Sequence, residues 1–410
     1  MWYIVLYILF FIAQLIYGSW HVLGPLTPRH IMTFVMFVVC IREKAFKRDK
    51  YIPLFYVFVF FFVLIGLTGG YAGDTMTKFI AYYVVSIVAY FSTLLFVEKY
   101  EGTYYLIIAL LMIGICNSVV TLGNMFMMPW GSQIMDFLHV STSEELLQYV
   151  SSRENTDSME GFAVPGLISD VANGYFMSFM TILALYSKDR QIHLYNIALY
   201  VFFLITLFFI QERAAFVAGG VLSVYALFRI LTMRDSDHVK KRIIVSFILI
   251  VSAVVILPKA YNYMMSGSTR YATLGFDYVS GRSSLNDMSM EFLSNNPMGG
   301  FFEFFRQYHS YPHNLFFNAL IYGGLIGGMC IFVLLWKQVL LVFPTLARRI
   351  SPYNYELFLF ALMFIAYNLC SITHNQSVVT GDPTFWVLWG LCLTSYKKDP
   401  QNYEKNQKNH

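Results

Sequence analysis

Residues 194–231 read LYNIALYVFFLITLFFI, then QER, then AAFVAGGVLSVYALFRIL. Gln211, Glu212 and Arg213 are the one break in some forty largely apolar residues. Each half approaches the roughly 20 residues that a helix needs to cross a bilayer. In lipid, backbone N–H and C=O groups have to be satisfied within a helix or a closed barrel. Long apolar runs without the roughly ten-residue alternation of barrel strands fit helices. The stretch therefore reads as two membrane helices joined by a tight hairpin, with Arg213 at its tip.

The rest of the chain repeats this pattern. Its 410 residues are 57% hydrophobic and 13% charged, against about 25% charged in soluble domains. A mean hydropathy of +0.56 with 18% aromatic residues excludes disorder. A net charge of +4 gives nucleic-acid binding no support. The five cysteines (Cys40, Cys116, Cys330, Cys370 and Cys392) sit in apolar runs and read as small hydrophobes, not ligands or bridges. The expected fold is all-α, a single integral membrane domain over residues 1–410.

Twelve spans are expected, at about 2–18, 20–41, 52–72, 79–97, 104–128, 164–186, 193–211, 214–233, 243–258, 314–336, 356–373 and 381–396. Pro25, Pro28, Arg29 and His30 interrupt the second. The first lacks a charged leader and a clear cleavage site, so it reads as a retained span. Lys and Arg collect on the cytoplasmic side. With the N-terminus inside, nineteen of the 28 basic residues fall in inner connections or the tail and eight fall outside. Both termini are then cytoplasmic. Two long segments, 129–161 and 259–313, become periplasmic loops. Loops of such length inside a compact protein are commonly functional.

In the first loop, Ser141 and Glu144 fit a capping box before a short helix. Its acids follow no fixed spacing and read as a solvated face. The second loop is richer. Ser280-Gly281-Arg282 leads into Leu285, Met288 and Phe292 at helical spacing, an amphipathic helix. Asn295-Asn296-Pro297-Met298-Gly299-Gly300 then supplies strong turn chemistry. An aromatic stretch follows, with Glu303 and Arg306 in it. Pro312 suits the first turn of the next span, so His313 would sit at a helix N-terminus. The positive end of the helix dipole disfavours imidazolium, so a neutral His313 could act as a general base. A structural His at a helix start is the plainer alternative. His309, His374 and His139 are weaker candidates.

Arg213, Arg282 and Arg270 carry guanidiniums, whose planar fork matches phosphate oxygens. Two or three of them converging would clamp a diphosphate. Arg213 could instead snorkel to headgroups or pair with Glu212. Gly323-Gly324 and Gly327-Gly328, four apart, read as a close helix-packing face. No nucleotide-binding, dinucleotide or zinc-protease motif is present in the sequence. The scattered acids do not support a divalent metal.

Three stretches carry a resemblance. Leu26-Thr27-Pro28-Arg29 leads into a helix. Gln211-Glu212-Arg213-Ala214-Ala215 opens one after a hairpin. The third is a series: Ser280-Gly281-Arg282, Asn296-Pro297-Met298-Gly299-Gly300, His313-Asn314, and Tyr322-Gly323-Gly324-Leu325-Ile326-Gly327. In order and placement the chain resembles the bacterial O-antigen polymerase and O-antigen ligase superfamily. Gly299-Gly300-Phe301 departs from the Gly-x-Gly that relatives often show.

That resemblance implies a helical, C-type glycosyltransferase of the inner membrane, working at its periplasmic face without a metal or other cofactor. It implies a polyprenyl-diphosphate-linked glycan as donor. His313 would deprotonate the acceptor hydroxyl, while Arg213 and Arg282 hold the departing diphosphate. Arg270, Asn314, Arg29 and Arg306 complete the expected substrate-binding set, although Glu303 and Arg306 match no motif of that superfamily. Transfer to a second lipid-linked repeat unit would make it an O-antigen or surface-polysaccharide polymerase. Its partners would be lipid-linked donor and acceptor, membrane lipid, a chain-length regulator and a flippase. Transfer to lipid A-core would make it a ligase. A flippase or transporter is the rival from another class, and Asp170 with Asn173 in the sixth span is its best support. A structural or sensory membrane protein is the remaining alternative.

Overall fold

The computed structural model describes residues 2–16, 27–46, 49–126, 128–137, 166–168, 170–190, 192–210, 212–231, 280–310, 312, 314–351, 354–372 and 377–399. Among them every regular element is helical. In order these are α1 (Trp2–Leu15), α2 (Pro28–Arg42), α3 (Ile52–Thr68), α4 (Ala72–Lys78), a π-helical segment (Phe79–Val84), α5 (Val85–Tyr100), α6 (Thr103–Met125) and α7 (Pro129–Phe137). They continue as α8 (Asp170–Leu183), α9 (Leu194–Ile210), α10 (Arg213–Leu231), α11 (Ser280–Asn295), α12 (Phe301–Tyr308), α13 (Leu315–Ala347), α14 (Tyr355–Ile372) and α15 (Pro383–Lys398).

Five helices are long and apolar enough to cross a membrane: Ala72–Tyr100 (α4 through α5), α6, α10, α13 and α14. The protein is an all-α, multi-pass membrane protein. α1, α3 and α9 are apolar but shorter. The expected span at 243–258 lies outside the described residues, as does the Ser141–Glu144 capping box.

Several expected boundaries move, each for a local reason. The second span begins at Pro28, whose fixed φ suits a first helical position, with Thr27 as N-cap. The fourth begins at Ala72, not 79, because Gly70 turns the chain at φ +84 and Asp74 favours a helix start. Lys78 therefore lies on the helix, not in a loop. α13 runs 33 residues, so Lys337 lies within it and not in an inner connection. It also begins at Leu315 with Asn314 as N-cap, one turn later than Pro312 suggested.

The chain divides into two compact units. In the first, α3 packs on α13 and α5 packs on α2 and α15. Glycine makes the first contact close: a Cβ on Gly323 would stand 2.6 Å from Phe58 Cδ2. Phe55, Phe58, Phe62, Tyr83 and Trp386 are fully sequestered around it. Two buried hydroxyls find backbone acceptors: Tyr83 donates to the Val379 carbonyl and Ser86 to that of Gly381, both at 2.8 Å.

Charge segregates along this unit. Lys99 pairs with Glu43, Lys397 with Glu98 at 2.8 Å, and Arg348 with Asp399 at 3.7 Å. Tyr3, at the start of α1, also donates to Glu43. The ends of α2, α5, α13 and α15 and the start of α1 thus share one pole. These are basic residues that the charge count put on one side. At the other end of α3 lie the α3–α4 turn and α12, tied by Tyr71 and Glu303.

In the second unit α8 packs on α9 and α10. Gly219 lets α10 approach α8, since a Cβ there would stand 2.7 Å from Ser178 Cα. Asn196 donates to the carbonyls of Ala184 and Tyr186 at 2.9 and 2.8 Å, closing the end of α8. Asn173 is buried, accepting from Asn117 at 2.7 Å and donating to Thr121 at 3.1 Å. These bonds give Asn173 a structural role. The Asp170 side chain lies outside the described residues.

Two glycines, one in each unit, test the packing directly. Gly324 has φ +63, and a Cβ there would meet the Met298 carbonyl oxygen at 2.4 Å. Gly324→Ala should cost more than about 2 kcal/mol, combining left-handed backbone with a backbone clash. Gly220 has open space around it, so Gly220→Ala should be neutral or stabilising by up to ~1 kcal/mol. Thermal unfolding in detergent compares them, and equal midpoints for the two variants would contradict this packing.

Candidate functional site

The site is built where a turn enters a break in a helix. α11 ends at Asn295, where the Asn296 N–H still reaches the Phe292 carbonyl at 2.8 Å. Gly299 and Gly300 then take φ of +78 and +139, left-handed values that favour glycine. α13 is interrupted at Gly324 (φ +63, ψ −172). Such a break frees carbonyls one turn back, and the Ile321 carbonyl accepts the Gly300 N–H at 2.8 Å. The fit admits no side chain: a Cβ on Gly299 would sit 2.7 Å from the Leu320 carbonyl oxygen. Two parts of the sequence series, 296–300 and 322–327, thus interlock backbone to backbone.

The chain leaves this joint as α12. Phe301 and Phe304 are buried, with Phe301 against Tyr322 at 4.1 Å and Phe304 edge-on to Phe292 at 5.3 Å. Glu303 faces the α3–α4 turn and accepts from the Tyr71 hydroxyl at 2.8 Å and from Arg306 at 2.6 Å. These bonds, the Tyr71 one first, hold its carboxyl below the ordinary glutamate range. A cavity of about 420 Å³ opens between α3 and α12, walled by Phe62, Ile65, Tyr71, Met298, Phe302 and Tyr322.

Beside it sit two cations. Lys78 donates to the Tyr322 hydroxyl at 2.9 Å, and its ammonium lies 3.7 Å from the Phe301 ring centroid and 4.7 Å from that of Tyr322. Arg29, on the first turn of α2, has its guanidinium carbon 5.3 Å from the Tyr82 centroid. Lys78 is 6.0 Å from that same ring. Aromatic faces attract cations at such distances. Tyr82 belongs to the π-helical segment, a rare wide turn that recurs at functional sites. Asp382, the N-cap of α15, acts on Arg29 electrostatically while accepting from Tyr367 and Thr384.

Of the seven expected site residues, Arg29 enters this cluster. Asn314 is an N-cap, its side chain accepting from Phe316 N at 2.8 Å. Arg306 is exposed and bonded to Glu303. Arg213 opens α10, directly after the hairpin predicted from the sequence; Glu212 before it is buried against Gly174. Arg213 belongs to the second unit. Arg282 lies in the first turn of α11, with its side chain outside the described residues. His313 and Arg270 lie outside them altogether. Among the described residues no group of three His, Cys, Asp or Glu side chains could hold a metal.

Lys78 and Tyr82 are absent from the candidates that the sequence offers, and Tyr322 enters there only as the first residue of a glycine-rich motif. Their signal was an ionisable residue at the head of an apolar run, followed by Phe79, Tyr82 and Tyr83. Lys78 looked like loop because the helix start was set seven residues late.

The Glu303 contact carries a pH dependence. A carboxyl lowered in the folded state contributes stability above the unfolded value of about 4.5. That contribution disappears as pH falls through the lowered value. Amide exchange in α12, corrected for intrinsic rate, should accelerate over that window. Glu303→Gln should exchange faster at neutral pH and show no step; an unchanged wild-type profile down to strong acid would contradict the assignment. No family model, curated protein or solved structure matches the chain.

Proposed function

We propose that the protein is a membrane glycosyltransferase that polymerises a surface polysaccharide from polyprenyl-diphosphate-linked repeat units. The supporting observation is the interlock at Gly324. The sequence pieces that bear the likeness to O-antigen polymerases and ligases are apart in the chain, yet 296–300 seats in the break within 322–327. His313 and Asn314 lie between them in sequence.

In the proposed reaction, the His313 imidazole takes the proton of an acceptor hydroxyl. The acceptor oxygen forms a bond to the anomeric carbon as the bond from that carbon to the diphosphate oxygen breaks. Attack from the opposite face inverts the centre. Charge develops on the departing diphosphate, and Arg213 and Arg282 neutralise it. Guanidiniums suit this, because fixed charges cost no reorganisation at the moment of reaction. Twelve spans, cytoplasmic termini and a periplasmic active face belong to this proposal. The basic pole of the first unit would face the cytoplasm.

A flippase for lipid-linked sugars is favoured by one observation: a membrane-length helix broken at Gly324, near two cations. Transporters bind substrates at such breaks. Chemistry separates the two readings. Membranes holding the protein, given a polyprenyl-diphosphate repeat unit and no lipid A-core, should yield longer lipid-linked chains. His313→Ala should lower the rate by about a hundredfold or more, and Arg213→Ala by a similar factor, with both proteins still in the membrane. Chains formed at wild-type rate by both variants would rule out this mechanism, and no elongation by the wild type would rule out a polymerase.

A further inference from the structure

Arg29 is held in an unusual state. Its Nε and Nη2 are sequestered from solvent and have no hydrogen-bond partner among the described residues. These two nitrogens form one edge of the guanidinium fork, the edge that meets two oxygens of a carboxylate or phosphate side by side. Leaving charged donors buried and unmatched is costly. A native protein that keeps such donors calls for an explanation, and an ion that occupies them in the working state supplies one.

The surroundings select the ion. Lys78 lies 6.0 Å from the same aromatic ring; among the described residues it has no carboxylate within ion-pair distance, and its one hydrogen bond there is to the Tyr322 hydroxyl. The one acid acting on Arg29 is Asp382, and its oxygens already accept from Tyr367 at 2.7 Å and from the Thr384 N–H at 2.8 Å. Among the described residues the cluster thus holds two basic side chains and one acid. Arg29 also stands in the first turn of α2, where the helix dipole favours an anion. Phe301 and Tyr322 both pack around Lys78, and both wall the apolar cavity of about 420 Å³. A polar anion next to an apolar chamber suits an amphiphile: a phosphorylated head with a hydrocarbon tail.

We infer that Arg29 and Lys78, set about Tyr82, hold the diphosphate of the acceptor lipid. This rests on the polymerase reading, in which each turnover brings two lipid diphosphates together. One is a leaving group, and Arg213 and Arg282 are proposed to meet it. The other stays intact and has only to be neutralised and positioned. A pair of cations partly offset by Asp382 fits that task, because holding a ground-state anion needs less positive charge than stabilising a departing one. Arg29 and Lys78 are binding residues in this account and take no part in proton transfer.

The test is equilibrium binding of a polyprenyl diphosphate to the full chain in phosphatidylcholine nanodiscs. Wild type should bind two equivalents. Arg29→Gln and Lys78→Met should each weaken one of them by about tenfold or more, the scale of a lost charge-assisted hydrogen bond. The other equivalent, removed by Arg213→Gln, should persist and so reports that the variants are folded. Arg29→Lys should recover part of the loss. Two unchanged equivalents in both Arg29→Gln and Lys78→Met would overturn the site. A single wild-type equivalent untouched by those changes would overturn the site and leave the glycosyltransferase reading standing. No binding by wild type would sink that reading as well. Repeating the titration in phosphatidylglycerol nanodiscs separates the two sources of phosphate: displacement of the Arg29-dependent equivalent by the bulk lipid would mark a headgroup site and overturn the proposal.

Discussion

The first unit depends on a single backbone exchange. α13 gives up its regular ladder at Gly324, and the turn at 298–300 occupies the gap, with the Gly300 N–H on the Ile321 carbonyl. In a membrane an unsatisfied carbonyl is expensive, and broken helices persist where protein groups restore the bond. The break is thus stable only while the turn is seated. The turn in turn needs two left-handed glycines and the absence of a Cβ at Gly324. Everything attached follows: α12 leaves the joint in one direction, which fixes Phe301 against Tyr322 and sets the wall of both the cavity and the Lys78 cage.

The same economy explains the helix contacts. Lipid is as apolar as leucine, so helix association in a membrane relies on close packing and hydrogen bonds. Gly323 against Phe58, Gly66 against Thr75 and Gly219 against Ser178 are all approaches that a methyl group would block. Buried hydroxyls then find carbonyls or one another, as in Tyr7 with Thr93 at 2.6 Å. Ion pairs gather at one end of the first unit's helices, and the two ends differ. At the basic pole the cations meet Glu43, Glu98 and Asp399. Arg29 and Lys78 meet aromatic rings instead, which attract a cation without cancelling its charge.

Much of this was legible in the sequence. Apolar runs locate helices because lipid leaves the backbone no alternative, so helices stand at the expected spans within the described residues. The helix ends at Ile210 and Arg213 and the end of α11 at Asn295 follow from charge and from Asn-Pro-Met-Gly turn chemistry. What was not legible has a common cause. Periodicity reports which residues are apolar, not where a helix begins within an amphiphilic stretch. Tyr71 to Lys78 is polar enough to read as loop, yet it is helix, and the shift carries Lys78 into the cluster. The partnership of Glu303 with Tyr71 spans 232 positions and has no local signature. Nor has the break in α13: Gly323-Gly324-Leu325-Ile326-Gly327-Gly328 signals close packing, and the positive φ at Gly324 depends on a turn that arrives from elsewhere.

The distribution of cations bears on which chemistry the protein can perform. A flippase moves one charged lipid through, so its cations should be graded along a path and discharged by acids that let the substrate leave. A transferase needs fixed charges that outlast the reaction and do not titrate. Arginine meets that need better than lysine, since its guanidinium stays charged and its fork sets the orientation of two oxygens. Arg29 is anchored for such a role. Its backbone carbonyl accepts from Thr33 at 2.7 Å and from Gln14 at 3.3 Å, its helix start is set by Thr27 and Pro28, and its ring contact is Tyr82. A guanidinium so constrained is poorly suited to follow a moving substrate and well suited to hold one in place.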